Sequence, residues 1–119
     1  MAEAALKIFE EAKHGKMSLL IIPITVAEVV WVLESFYDYP KEKIAETMTQ
    51  FLSCEGLEVE SLDLILEALN LYYEKNLDFA DAILATTALR KRIPTIYSFD
   101  QHFNRINGIE RVEASKKAP

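Results

Sequence analysis

The sequence has few of the residues that form covalent or metal cross-links, with one cysteine and two histidines in 119 residues, and it has only three glycines. Its single Cys54 excludes an intramolecular disulfide and fits a reducing, cytoplasmic setting. His14 and His102 lie far apart without the spacing of zinc ligands. The glycines are not clustered, which excludes a glycine-rich phosphate loop. No apolar run approaches the roughly 18 residues of a membrane span, so we expect no membrane partner.

Length and composition predict one domain over residues 1–119. Half of the residues are apolar and 27% are charged, which suits a single hydrophobic core and does not indicate disorder. The chain has no internal repeat and no Gly/Ser-rich linker that would divide it. We therefore expect a single compact unit.

Charge is unevenly distributed along the chain. The net charge is −6, yet residues 90–119 hold seven Lys and Arg against three acids, and residues 1–89 hold six basic and sixteen acidic residues. Affinity for nucleic acid comes mostly from Lys and Arg that displace counterions from phosphates, so an acidic protein is a poor non-specific binder. If the chain acts on nucleic acid, a divalent metal and the basic C-terminal segment must offset the acids. Composition alone favours ordinary surface charge.

Hydrophobic periodicity predicts helices that alternate with strands. The expected helices span residues 2–14, 25–37, 41–53, 61–75 and 78–92, and the expected strands span residues 17–22, 57–60, 94–99 and 111–114. This alternation predicts an α/β sandwich built on a mostly parallel sheet.

Glu28 lies on a predicted helix that is apolar almost all round. At 100° per residue it shares a face with Ile24, Trp31 and Val32, where a buried charge needs a partner. One explanation is local, because Thr25 and Glu28 match a T-x-x-E capping box. The other explanation is that Glu28 belongs to a functional site. On this segment alone the capping box is favoured.

Two aspartates open the helix predicted over residues 78–92. Asp78 is placed to cap it, and Asp81 in the first turn would be stabilised by the helix dipole. The face of Asp81 carries the small residues Ala85 and Ala88, beside which a short carboxylate can point into a cleft. Capping therefore explains Asp78 better than it explains Asp81.

Asp100 directly follows a predicted strand, at the end where open α/β sheets bind ligands. It could equally cap the turn that begins at Gln101. Each acid alone is weak evidence, but Glu28, Asp81 and Asp100 at two helix starts and one strand end suggest that they converge in one cleft. Oxygen ligands without nearby His or Cys match Mg²⁺ or Mn²⁺ rather than zinc.

Two long runs resemble the PIN-domain family, which includes the VapC-like toxin ribonucleases. PITVAEVVWVLESFYDYP, residues 23–40, is similar to the family segment whose helix carries a metal-binding Glu. LDFADAILATTALRKRIPTIYSFDQHFNRINGIERVE, residues 77–113, is similar to the family's C-terminal half. There an Asp-Ala pair opens a helix, and a Ser/Thr-x-Asp-x-x-Phe stretch follows the fourth strand.

The resemblance implies a PIN-like three-layer α/β sandwich with a mostly parallel sheet. Carried over residue by residue, the family's acids fall on Glu28, Asp81 and Asp100. Asp78 is a secondary acid nearby, and Ser98 matches a small hydroxyl two positions before the last Asp. These residues would hold Mg²⁺ or Mn²⁺ for endonuclease chemistry on RNA. The toxin members of the family further imply an antitoxin partner and a homodimer.

The sequence departs from the family pattern at its start. PIN domains begin with a hydrophobic strand that ends in an Asp-x-Asn-type motif, whereas Met1 falls where the first helix is already under way. With that strand and its metal-binding Asp missing, we expect residues 1–119 alone to be a weak or inactive nuclease. The missing strand would lie between the strands at 17–22 and 95–99, which must then either pair directly or accept a segment of a second molecule. We favour a homodimer through this edge.

Three functions remain open from the sequence. The first is a Mg²⁺-dependent endoribonuclease of PIN type, the toxin component of a toxin–antitoxin pair. The second is a catalytically inactive PIN-like module for binding or dimerisation, which the missing aspartate favours. The third, a plain helical interaction domain, follows if the acids do not meet in space. Binding of Mg²⁺ that is lost on replacement of Glu28 or Asp81 would separate them.

Overall fold

The computed structural model of the chain describes residues 11, 14–15, 17–97, 103–104 and 106–113. The first expected helix, residues 2–14, falls almost wholly outside these residues, and so do Ser98 and Asp100.

Helices and strands alternate along the described residues, as the α/β prediction requires. Their bounds are β1 Leu19–Ile21, α1 Pro23–Ser35, α2 Lys41–Leu52, β2 Leu57–Val59, α3 Leu62–Glu74, α4 Phe79–Lys91, β3 Thr95–Tyr97 and β4 Glu110–Val112. Each helix and strand expected from residue 17 onward is present, with bounds close to those expected. None of the described helices combines the length and the apolar character needed to cross a membrane.

All described strand pairings are parallel, as expected, but they form two separate pairs. β1 pairs with β2, with Leu20 opposite Glu58, and β3 pairs with β4, with Ile96 opposite Arg111. Among the described residues β1 and β3 are not hydrogen-bonded to each other. Direct pairing of these two strands is therefore not seen in the described residues. Each of them keeps one edge that takes no part in the described ladders.

The core is centred on the contact between α3 and α4. α3 buries Ile65, Ala68, Leu69 and Tyr72, the three- and four-residue spacing of an amphipathic helix. α4 packs on α3 and carries a buried stripe of mostly small residues. Its buried members are Phe79, Ala82, Ala85, Thr86 and Ala88. The Thr86 hydroxyl donates to the Ala82 carbonyl at 2.8 Å, so its polar group is satisfied within the helix.

The small-residue stripe of α4 can be tested by overpacking it. Ala85 is fully buried, so Ala85→Val is expected to lower the free energy of unfolding by about 1–3 kcal/mol, because the added methyl groups displace neighbours. Ala80→Val is the control, since Ala80 is exposed on the same helix and loses only helix propensity, at most about 0.7 kcal/mol. Urea denaturation measures both changes, and equal losses would contradict close packing at Ala85.

Candidate functional site

Glu28 lies inside α1 and its side chain is exposed. The helix begins at Pro23, with Ile22 in the N-cap position and no side-chain cap hydrogen bond. Thr25 is therefore a first-turn residue and not an N-cap, so the capping-box interpretation of Glu28 is wrong. No local structural role remains for this carboxylate in the described residues.

The side of α1 that carries Glu28 faces solvent. Ile24 and Trp31, predicted to share a buried face with Glu28, are 64% and 58% exposed, whereas Val26 and Val30 are buried. The prediction of a buried face was wrong because α1 is apolar on nearly every side, which prevents periodicity from identifying the side that meets the core. Glu28 needs no buried partner, and its carboxylate is accessible to a ligand.

A surface cavity of about 420 Å³ lies beside Glu28. Its walls are formed by Ala27, Glu28, Trp31 and Val32. The Trp31 ring packs edge-on against Phe36, with ring centroids 5.6 Å apart and an interplanar angle of 80°. The cavity therefore combines a carboxylate with an accessible aromatic ring.

Asp78 and Asp81 both lie at the start of α4. Asp78 occupies the N-cap position and is exposed, but its side chain makes no cap hydrogen bond. The expected capping role of Asp78 is therefore wrong. Asp81 lies in the first turn and is half-buried, where the helix dipole favours a negative charge. Ala85 and Ala88, on the same face as Asp81, are buried.

Chain connectivity brings the elements that carry these acids together. α4 leads into β3 through a short connection and packs against it, so the two run in opposite directions. Asp78 and Asp81 lie at the start of α4, and Asp100 follows β3 in the sequence. α1, which carries Glu28, also packs against α4.

The donor chemistry of these residues fits Mg²⁺ or Mn²⁺, since all the candidate ligands are carboxylates. Within the described residues, however, no group of three Asp, Glu, His or Cys side chains lies close enough to hold a metal ion. Glu28, Asp78 and Asp81 thus do not form such a group by themselves. Convergence of the acids remains a prediction that depends on Asp100, outside the described residues.

A partly buried polar network contacts the start of α4. Tyr72 of α3 is fully buried and donates its hydroxyl to Glu34 Oε2 at 2.7 Å. The Lys41 ammonium lies 4.2 Å from the centroid of the Tyr72 ring and donates to the Leu77 carbonyl. Burial, the hydrogen bond to Glu34 and the charges of Glu34 and Asp78 all raise the pKa of the Tyr72 phenol. The Asp78 carboxylate therefore lies within electrostatic reach of this network.

Sequence patterns do not identify this network, because its partners lie far apart along the chain. Lys41 and Leu77 are separated by 36 positions, and Glu34 and Tyr72 by 38. One local signal is available: a cation at the first position of a helix opposes the helix dipole, which indicates a contact outside that helix.

The basic C-terminal segment is partly neutralised within the molecule. Arg90 forms a salt bridge with Glu67 at 2.9 Å, and its hydrogen bond lowers the pKa of Glu67. Arg111 pairs with Glu113 at 3.0 Å. Lys91 is exposed beside Arg90 at the end of α4. Some of the positive charge expected to face a polyanion is therefore already paired with acids.

The family model of the PIN domain matches residues 1–109. The chain therefore belongs to the PIN domain family, which confirms the resemblance carried by residues 23–40 and 77–113. A VapC ribonuclease of Aquifex aeolicus (strain VF5) is 28% identical to the chain over 100 residues, which cover 84% of this chain and 74% of the relative. No solved structure matches the chain.

The absence of a capping role for Glu28 can be tested against a second glutamate of α1. Glu28→Gln is expected to change the free energy of unfolding by less than about 0.5 kcal/mol, because the side chain is exposed. Glu34→Gln is expected to cost about 1 kcal/mol, because the acceptor of the Tyr72 hydroxyl loses its charge. Urea denaturation measures both. A loss of about 1 kcal/mol at Glu28, typical of a removed cap, would restore the capping box.

Proposed function

We propose that this PIN-domain protein is a metal-dependent endoribonuclease and the toxin component of a toxin–antitoxin pair. The proposal is carried by the family match over residues 1–109 together with two acids, Glu28 and Asp78, that have no capping role in their helices. The relative from Aquifex aeolicus is named a VapC ribonuclease. That likeness supports RNA as the substrate and an antitoxin protein as the partner.

In this proposal Glu28, Asp78, Asp81 and Asp100 supply carboxylates for Mg²⁺ or Mn²⁺, and Ser98 orients by hydrogen bonding. A bound divalent ion supplies charge neutralisation at a phosphodiester and activation of water. Asp81 is half-buried in the first turn of α4. Glu28 and Asp78 are exposed, so a substrate can approach them.

Two features of the described surface suit a single-stranded RNA. Trp31 is exposed on the wall of the cavity beside Glu28, and a base stacked on an aromatic ring gains about 1–3 kcal/mol. Lys91 and Arg92 add exposed positive charge at the end of α4. Because the chain carries a net charge of −6, binding of RNA depends on these cations and on the metal.

A catalytically inactive PIN-like module for binding or dimerisation is the second candidate. One observation favours it: the described residues contain no group of three metal-binding side chains. The two candidates differ in whether the chain binds a divalent metal, which makes metal titration the direct test.

Asp81→Asn is expected to abolish Mn²⁺ binding in isothermal titration calorimetry. It should also reduce Mg²⁺-dependent cleavage of single-stranded RNA. The expected loss exceeds the ~10–100-fold that is typical when a residue that only orients a metal ligand is replaced. Asp63→Asn is the matched control, because Asp63 occupies the first turn of α3 as Asp81 occupies that of α4.

Metal binding is the primary measurement, because it separates the two candidate functions directly. Cleavage that persists in EDTA or in Asp81→Asn would contradict a metal-dependent nuclease. Absence of both Mn²⁺ binding and cleavage in the wild-type chain would favour the inactive module. Binding lost in Asp81→Asn and retained in Asp63→Asn would support the nuclease.

We also propose that the chain forms a homodimer through the edge of β1. That edge takes no part in the β1–β2 ladder, and Leu20 within it is 64% exposed. The helix that follows adds Ile24, Trp31 and Phe36 to the exposed apolar surface. Unpaired strand edges next to apolar surface favour pairing between chains.

Leu20→Lys is expected to convert the dimer to a monomer in sedimentation equilibrium, because charged side chains on an edge strand oppose pairing between chains. Leu62→Lys is the control, since Leu62 is also exposed but lies at the start of α3. A wild-type chain that remains monomeric at high concentration, or a Leu20→Lys variant that remains dimeric, would contradict this interface.

A further inference from the structure

Lys41 occupies a position where its charge is locally unfavourable. It is the first residue of α2, directly after Pro40 in the N-cap position, and the N-terminal end of a helix repels a cation. Lys41 is nevertheless half-buried. Contacts outside α2 must therefore stabilise this side chain.

The Lys41 side chain reaches the residue that precedes the start of α4. Its Nζ donates to the carbonyl of Leu77, whose side chain is fully buried. The first carbonyl that accepts a helical hydrogen bond is that of Asp78, which accepts from the Ala82 amide at 2.9 Å. The Leu77 carbonyl thus lies outside the helical hydrogen bonds, and Lys41 supplies the donor that a buried acceptor needs.

The ring of Tyr72 holds the residue on the other side of Asp78. It packs edge-on against Phe79, with centroids 6.0 Å apart and an interplanar angle of 77°. The same ring receives the Lys41 ammonium on its face. One cluster therefore holds the residues before and after Asp78, both of which are buried, while Asp78 itself is exposed.

We propose that Lys41 is a positioning residue of the carboxylate site, an inference that rests on the proposed function. By holding the Leu77 carbonyl beside the Tyr72 ring, Lys41 fixes the backbone at Asp78. It thereby fixes the orientations of the Asp78 and Asp81 side chains at the start of α4. Loss of an outer contact that orients metal ligands typically lowers metal affinity about 10–100-fold.

Charge alone predicts the opposite effect. Lys41 is a cation near the start of α4, so removing its charge should favour a divalent cation held by Asp78 and Asp81. Positioning predicts weaker binding, because the carboxylates lose their fixed direction. The sign of the change in Mn²⁺ affinity therefore separates the two roles of Lys41.

The test compares Lys41→Met, Lys41→Arg and Lys43→Met in the full chain. Lys43 is the matched control, since it lies on the same helix with its Nζ 3.9 Å from the centroid of the Tyr39 ring. Isothermal titration calorimetry measures Mn²⁺ affinity, and NMR-detected hydrogen exchange follows the Ala82 amide. We expect Lys41→Met to weaken Mn²⁺ binding about 10–100-fold and to speed exchange at Ala82. Lys41→Arg, which keeps a charged donor, should restore most of both properties, and Lys43→Met should change neither.

Unchanged or tighter Mn²⁺ binding in Lys41→Met would overturn the proposal, and so would equal weakening in Lys43→Met. If the wild-type chain binds no Mn²⁺, the proposed function fails, and exchange at Ala82 decides the positioning role by itself. Faster exchange confined to the Lys41 variant then supports the positioning role of Lys41, and unchanged exchange overturns it. If Lys41→Met does not fold, Lys41→Leu, which also lacks a donor, replaces it in both measurements.

Discussion

The contact between α3 and α4 is the interaction on which the position of the candidate site depends. α3 packs against α4, and the Tyr72 ring of α3 reaches Phe79 at the start of α4. The Tyr72 hydroxyl extends this contact to α1 through Glu34. A buried aromatic ring with a satisfied hydroxyl therefore links three helices. The residues that could act on a ligand lie at the end of α4 that this ring holds.

α1 contributes to the core and also presents apolar residues to solvent, and its composition does not distinguish the two sides. Val26 and Val30 contact the core, whereas Trp31 and Phe36 on other sides of the helix are exposed. Large contiguous apolar surfaces are uncommon on monomeric proteins and mark interaction sites. Glu28 is exposed beside Trp31 on the wall of one cavity, so a partner that covered this face would also cover the Glu28 carboxylate. Association through this face would therefore also limit access to the acid.

Local patterns predicted the helices and strands from residue 17 onward because caps, stop signals and apolar runs act over a few residues. They failed for α1, where apolar residues on every side left the buried face undetermined, and for Asp78, whose N-cap position did not bring a cap hydrogen bond. Family resemblance pointed to Glu28, Asp78 and Asp81 without showing whether they meet. The contacts of Lys41 escaped prediction because they join residues 36 positions apart.

Lys41 and Asp78 both act on the polar network next to the start of α4. Two groups that Lys41 contacts, the Leu77 carbonyl and the Tyr72 ring, carry no formal charge. A cation that donates to a buried backbone carbonyl stabilises the position of that backbone. The negative charge of Asp78 also acts on this network, because it helps to raise the pKa of the Tyr72 phenol. A protonated Tyr72 hydroxyl can donate its hydrogen bond to Glu34. The network thus holds the residues on both sides of Asp78, whose own side chain is exposed to solvent.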